Sequence, residues 1–262
     1  MAMKVLWAAA LLAYGASTGA AMDPGHGASS SSSSPLQPLD MAPNSVDDMY
    51  VGCREKMEER VATYLENEKN ANPDFKKAWN TALLYRTNNL MSAAIYVYAA
   101  QEPNIHDPLN LAVHDEGPKY RTEFKFHALH FYLTTAIQTL HKENQCFTVT
   151  RRTKKFFNAV TVKTQVRFGN FASSTTDSLA QTLNSGFGKE TCFEIDTCMG
   201  ADIKEHAVFK TENEVLIPPY EVFTVTEVKK VAQFPGLACN VVYKLQSTKK
   251  SVSKLNCALF PK

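Results

Sequence analysis

Residues 211–228 read TENEVLIPPYEVFTVTEV, and they divide into two parts. From Glu221 onward, Phe223, Val225 and Glu227 alternate with Val222, Thr224 and Thr226, the period of a strand with one wetter face. Before it, the paired prolines Pro218 and Pro219 cannot donate to a central ladder, so a strand should meet a loop there. An extended chain places residues i and i+2 on one side, so Glu212 and Glu214 can both look into one cleft from the mouth of that strand, although this pattern alone favours two exposed carboxylates on a loop.

The same pattern of short β-branched and aromatic runs holds throughout the chain after Cys146, in CFTVTRR, VTVKTQVRF, ETCFEIDTC and CNVVYKLQST. One short helix is expected among them, near Ser178 to Leu183. Upstream the period is different. From Val46 to about Glu143 apolar residues recur at three and four, as in Met57, Val61, Tyr64 and Leu65, with Asn72-Pro73-Asp74 as a helix start and EPNIHDPLN as a loop between helices. Helices first and strands later predict an α+β domain, a helical N-terminal half packed on a mainly antiparallel β core.

A second Glu-Asn-Glu, Glu66 to Glu68, falls in the helical half, where i and i+2 diverge by about 200 degrees around the axis. Glu66 to Asn70 is expected to be a solvated helix end, and the tripeptide there to have no chemistry. His127, His130 and His141 lie in a helical apolar context and read as packed or surface residues, and GFGKE lacks the third glycine of a dinucleotide fingerprint.

The ends supply context. Residues 1–21 carry one lysine, a short apolar run and small residues, the features of a secretory signal; residues 22–45 are a Ser-, Gly- and Pro-rich stretch expected to be a flexible leader; residues 46–262 are left as a single domain. The formal net charge of +2 argues against a dominant nucleic-acid or acidic-membrane footprint, and the ending CALFPK carries no hydrophobic tail for an anchor. A secreted monomer is expected, in the extracellular space or stored in secretory granules. Six cysteines, Cys53, Cys146, Cys192, Cys198, Cys239 and Cys257, read as disulfides in such a compartment, with fifteen connectivities open; none stands at C-x-x-C spacing, so no metal site is expected.

Three segments in order, CFTVTRRTK, RFGNFASSTTD and TENEVLIPPYEVF, resemble the Arg, Ser and Glu-x-Glu motifs of vertebrate arginine-specific mono-ADP-ribosyltransferases, ecto-enzymes similar in fold to bacterial ADP-ribosylating toxins. FKFHALHFYLTTAI, GKETCFEI and NCAL extend the resemblance over essentially the whole chain after the leader. It implies that Arg151, Ser173, Glu212 and Glu214 are catalytic, with Arg151, Ser173, Glu214 and Tyr98 at the dinucleotide. It also implies the pairs Cys53–Cys257 and Cys146–Cys198, leaving Cys192 with Cys239. The implied substrates are NAD or NADP and, as acceptors, arginine-bearing proteins or small guanidino compounds, with no permanently bound cofactor. Thr150 stands where the family often has Tyr, Arg152 where it often has Gly, and the hydroxyl cluster reads Ser173-Ser174-Thr175. An NAD glycohydrolase, and a secreted binding protein with an inactive site, are the alternatives on the same fold.

Overall fold

The computed structural model describes residues 36–86 and 89–260. Five α-helices come first: α1 (Arg54–Ala71), α2 (Pro73–Tyr85), α3 (Leu90–Ala99), α4 (His106–Asp115) and α5 (His127–Leu140). Eight strands follow: β1 (Phe147–Thr153), β2 (Gln165–Val166), β3 (Ala172–Thr175), β4 (Thr191–Thr197), β5 (Ala201–Asp202), β6 (Glu214–Ile217), β7 (Glu221–Lys230) and β8 (Val241–Ser251). They form one sheet in the order β2-β7-β8-β4-β1-β3-β6-β5, antiparallel throughout except where β4 runs parallel to β8. The α+β expectation thus holds.

Local chemistry explains the element boundaries. The Asn72 side chain accepts the amide N–H of Phe75 at 3.0 Å and starts α2 with Pro73 as its first residue. EPNIHDPLN is only partly a loop. Asn104 accepts the Asp107 N–H at 3.1 Å, and α4 begins at His106, because Pro108 in the first helical turn needs no amide partner. No helix forms near Ser178 to Leu183. The segment makes turns only, since Asn184-Ser185-Gly186 follows at once and so short a stretch cannot repay helix nucleation.

The two larger apolar clusters lie among the helices, around Trp79, Phe131 and Leu133, and against the sheet, around Val149, Phe193 and Phe223; a third, small one gathers Leu179, Cys192, Cys239 and Val242. Disulfides join Cys53 to Cys257, Cys146 to Cys198 and Cys192 to Cys239. Glu221, the last carboxylate of the proline segment, is buried and accepts from Thr197 Oγ1 at 2.5 Å and from the Cys198 N–H at 2.7 Å, a turn brace rather than a reactive group.

Two expectations are corrected. The flexible leader does not extend to residue 45. The signal stretch and residues 22–35 lie outside the described residues, but from residue 37 the chain is built into the domain. Leu39 and Ala42 are buried, Gln37 bridges to Phe157, and the Arg167 guanidinium binds the carbonyls of Met41 and Ala42 and the Asp47 carboxylate at 2.8 to 2.9 Å. The polar composition upstream hides the two apolar anchors that end it.

Glu68, read as a solvated helix end, is buried at 6% exposure. Its carboxylate accepts the N–H of Ala128 at 2.7 Å and of Leu129 at 3.4 Å, so it caps α5 from α1. Burial pushes its pKa up to about 8, against the opposing pull of those N–H groups. Glu66 remains exposed beside Lys69.

Candidate active site

The register of three strands assembles the site. Thr150 of β1 stands opposite Thr175 of β3, and Thr175 opposite Glu214 of β6. Ser173 and Glu214 are therefore diagonal neighbours on one face, and the Ser173 hydroxyl donates to Glu214 Oε1 at 2.5 Å. Arg151 reaches across from β1 and donates through Nη1 to the Ser173 carbonyl. Its other guanidinium donors have no hydrogen-bond partner among the described residues, and no carboxylate forms an ion pair with it there. Burial pulls the Arg151 pKa down from the ordinary arginine range, while Tyr98, Glu214 and Asp107 oppose that pull.

Glu214 is buried, and burial is the main reason its pKa is raised. The nearby charge of Glu212 adds to the rise; Ser173 and Arg151 work against it. Glu212 is half-buried and raised by burial alone. Both groups should therefore gain protons at higher pH than a surface carboxylate.

The two glutamates do not sit on one extended strand, as the alternation suggested. Glu212 ends a 3-10 turn (Lys210–Glu212), and Asn213 between them is left-handed, with φ 46° and ψ 46°. Asparagine tolerates that conformation better than most residues. Its side chain donates to Asp177 Oδ1 at 3.1 Å and accepts from Lys204 Nζ at 2.9 Å. Thr175 Oγ1 donates to the Glu212 carbonyl at 2.7 Å, and the Thr176 N–H to the Asn213 carbonyl at 3.2 Å. The turn carrying Glu212 is thus anchored from β3.

Tyr98, expected at the dinucleotide, has a structural role of its own. It is buried, its hydroxyl donates to the Phe171 carbonyl at 2.8 Å, and Asn110 both donates to that hydroxyl at 3.1 Å and accepts the Phe171 N–H at 3.2 Å. It braces the segment that leads into Ser173 and lies near enough to Arg151 and Glu214 for their charges to act on it. The unusual Arg152 points away from Arg151 and binds the carbonyl of Leu179 at 2.5 Å and the hydroxyl of Thr182 at 2.9 Å, fixing the turns after β3. Thr150 donates to the Asp177 carbonyl at 2.7 Å. Both departures from the family pattern have structural work of their own.

Sequence reasoning missed His106, Asp107, Asn110, Asp177 and Lys204. The first two lie close enough for their charges and that of Arg151 to affect one another. His106, Asp107 and Asn110 come from α4 and Asp177 and Lys204 from loops, with no signal linking them to β1 or β6; only the hydroxyl-rich SSTTD hinted that β3 ends in groups able to tie down a neighbouring turn.

The family model for NAD:arginine ADP-ribosyltransferase matches residues 39–251. The chain is 35% identical over 259 residues to ecto-ADP-ribosyltransferase 5 of Bos taurus, covering 90% of this chain and 77% of that one. It is 37% identical over 232 residues to T-cell ecto-ADP-ribosyltransferase 1 of Mus musculus, covering 84% and 77%. The crystal structure of the eucaryotic mono-ADP-ribosyltransferase ART2.2 superposes with a TM-score of 0.71 at 32% identity, over 87% of this chain and all of the other. A mutant of that enzyme in complex with NAD gives 0.69 over the same shares.

Proposed function

The chain belongs to the family of NAD:arginine ADP-ribosyltransferases, and on that footing we propose that Arg151, Ser173, Glu212 and Glu214 divide between them the transfer of ADP-ribose from NAD to arginine. The observation that carries this reading is the part-buried Ser173–Glu214 hydrogen bond of 2.5 Å beside an arginine whose donors are largely unengaged among the described residues.

The residues suit the dinucleotide. A guanidinium that among the described residues bonds only to one backbone carbonyl keeps donors for phosphate or ribose oxygens, and its planar fork matches them. Glu214, held by Ser173, presents a carboxylate where the adjoining ribose gains positive charge as its bond to nicotinamide breaks and the bonding pair leaves with the nicotinamide ring. A low-polarity setting strengthens that stabilisation, and the same burial raises the Glu214 pKa.

Glu212 serves the other partner. A carboxylate grips a guanidinium by two parallel hydrogen bonds, and one raised in basicity accepts the proton that the arginine nitrogen sheds as it bonds to the ribose carbon. Water needs no such grip. All four residues come from one chain, which supports a monomer as the working unit. Three disulfides and the likeness to ecto-enzymes support work outside the cytoplasm, and we propose a secreted protein acting on exposed arginines.

Incubation of the full-length protein with labelled NAD and agmatine tests the reading. Labelled agmatine with release of nicotinamide is expected. Free ADP-ribose alone would establish a glycohydrolase instead, and no turnover of NAD would leave a binding protein.

A further inference from the structure

Thr153 of β1 stands opposite Thr191 of β4, Thr191 opposite Val241 of β8, and Val241 opposite Lys230 of β7. These four residues form one row across the end of the sheet, and the segments 154–156, 178–190 and 231–240 all project beyond it. Their packing is direct. The Asn240 N–H donates to the Lys189 carbonyl at 2.8 Å, and Arg152 spans Leu179, Gly188 and Ala238. Gly188, with φ +108°, lies so close that a Cβ there would stand 2.7 Å from the backbone of Thr153 and Lys154.

This end exposes apolar side chains that nothing among the described residues covers: Phe156 at 39%, Leu183 at 57%, Phe187 at 53%, Val231 at 41% and Phe234 at 48%. Around them stand Lys154, Lys155, Lys189, Lys229 and Lys230. Within residues 154–156, 178–190 and 229–240 the only carboxylate is Glu190. Lys229 is paired with Glu227; the other four lysines form no ion pair among the described residues.

We infer that this end of the sheet is a docking surface for an anionic lipid bilayer, the phenylalanines entering the headgroup region and the lysines contacting lipid phosphates and carboxylates. Charge complementarity selects the partner: exposed aromatics with a basic rim and almost no acid suit an interface where apolar and anionic layers adjoin. A soluble polyanion would use the lysines but leave the phenylalanines without purpose. The formal charge of +2 hides the feature because acids elsewhere in the chain offset these lysines. No helix among the described residues is long and apolar enough to cross a membrane, so the contact is peripheral.

Co-sedimentation of the full chain with phosphatidylcholine vesicles, with and without phosphatidylserine, tests the inference independently of the catalytic reading. Binding is expected only with phosphatidylserine and should weaken as salt rises. Phe187→Ser with Phe234→Ser, and separately Lys154→Glu with Lys230→Glu, should each lose about tenfold or more, while agmatine turnover in solution stays unchanged. Phe234→Trp keeps an aromatic side chain and should show a blue-shifted emission when phosphatidylserine vesicles are added. No vesicle binding, or no emission shift, overturns the inference. So does binding that the lysine variant loses and the phenylalanine variant keeps, which would point to a soluble polyanion such as heparin.

Discussion

Glu66-Asn67-Glu68 and Glu212-Asn213-Glu214 are the same tripeptide, and in both the third residue is buried. What differs is what the buried carboxylate meets. Glu68 faces two amide N–H groups at the start of α5 and has no remaining partner to act upon. Glu214 faces a serine hydroxyl and lies beside an underused arginine. Burial raises both pKa values, so a perturbed carboxylate alone does not mark a catalytic one; the neighbours decide.

The largest effect that separates the two segments should come from Glu214→Gln, which removes charge at the ribose while nearly keeping shape. Both agmatine labelling and NAD hydrolysis should fall by about 10² to 10³. Normal NAD cleavage in this variant would break the assignment. Glu212→Gln should lower transfer to agmatine by roughly 10 to 10² while leaving most NAD hydrolysis, because only the acceptor loses its grip. Equal loss of both activities would merge two roles that the geometry keeps apart.

For the first segment the readout moves to stability. Glu68→Ala should cost about 1–3 kcal/mol by leaving the α5 amides without their acceptor, whereas exposed Glu66→Gln should stay within about 0.5 kcal/mol. Denaturant melts decide it. The sign with pH follows from a folded pKa raised to about 8 above the ordinary 4.5. The stability that protonated Glu68 adds is full below 4.5 and is lost as pH rises toward 8, so Glu68→Gln should improve relative to wild type across that window.

The smallest effect is a shift along the pH axis. Ser173 donates to Glu214 and lowers a pKa that burial raises, so Ser173→Ala should move the acid limb of kcat/KM for NAD hydrolysis to higher pH. An unmoved limb would mean that another group controls it.

How much of this was legible in the sequence depends on the separation of the partners. The α+β order, the start of α2 at Asn72 and the three motif segments are local, and each was readable. The cap on α5 was not, because Glu68 and Ala128 lie sixty residues apart and no periodicity links them. The leader boundary was missed because Leu39 and Ala42 end a polar stretch and bury against strands far downstream. For Glu212 and Glu214 the alternation of an extended chain was the basis of the reading, and the backbone there is not extended. The chain turns there through a left-handed asparagine, a choice made by Asp177 and Lys204.

That asparagine also sets a seam along which the enzyme can change. Glu214 is inherited with the sheet, since its position is registered against Thr175, and altering it disturbs β3 and β6 together. Glu212 lies on the far side of the left-handed step, in a turn tied down by a few side-chain contacts, and loops so placed accept replacement readily. On the roles proposed for Glu212 and Glu214, exchange of residues 208–212 would alter what receives ADP-ribose while β6 and its contact with Ile203 stay as they are. New acceptors would arise by grafting one loop, without rebuilding the domain.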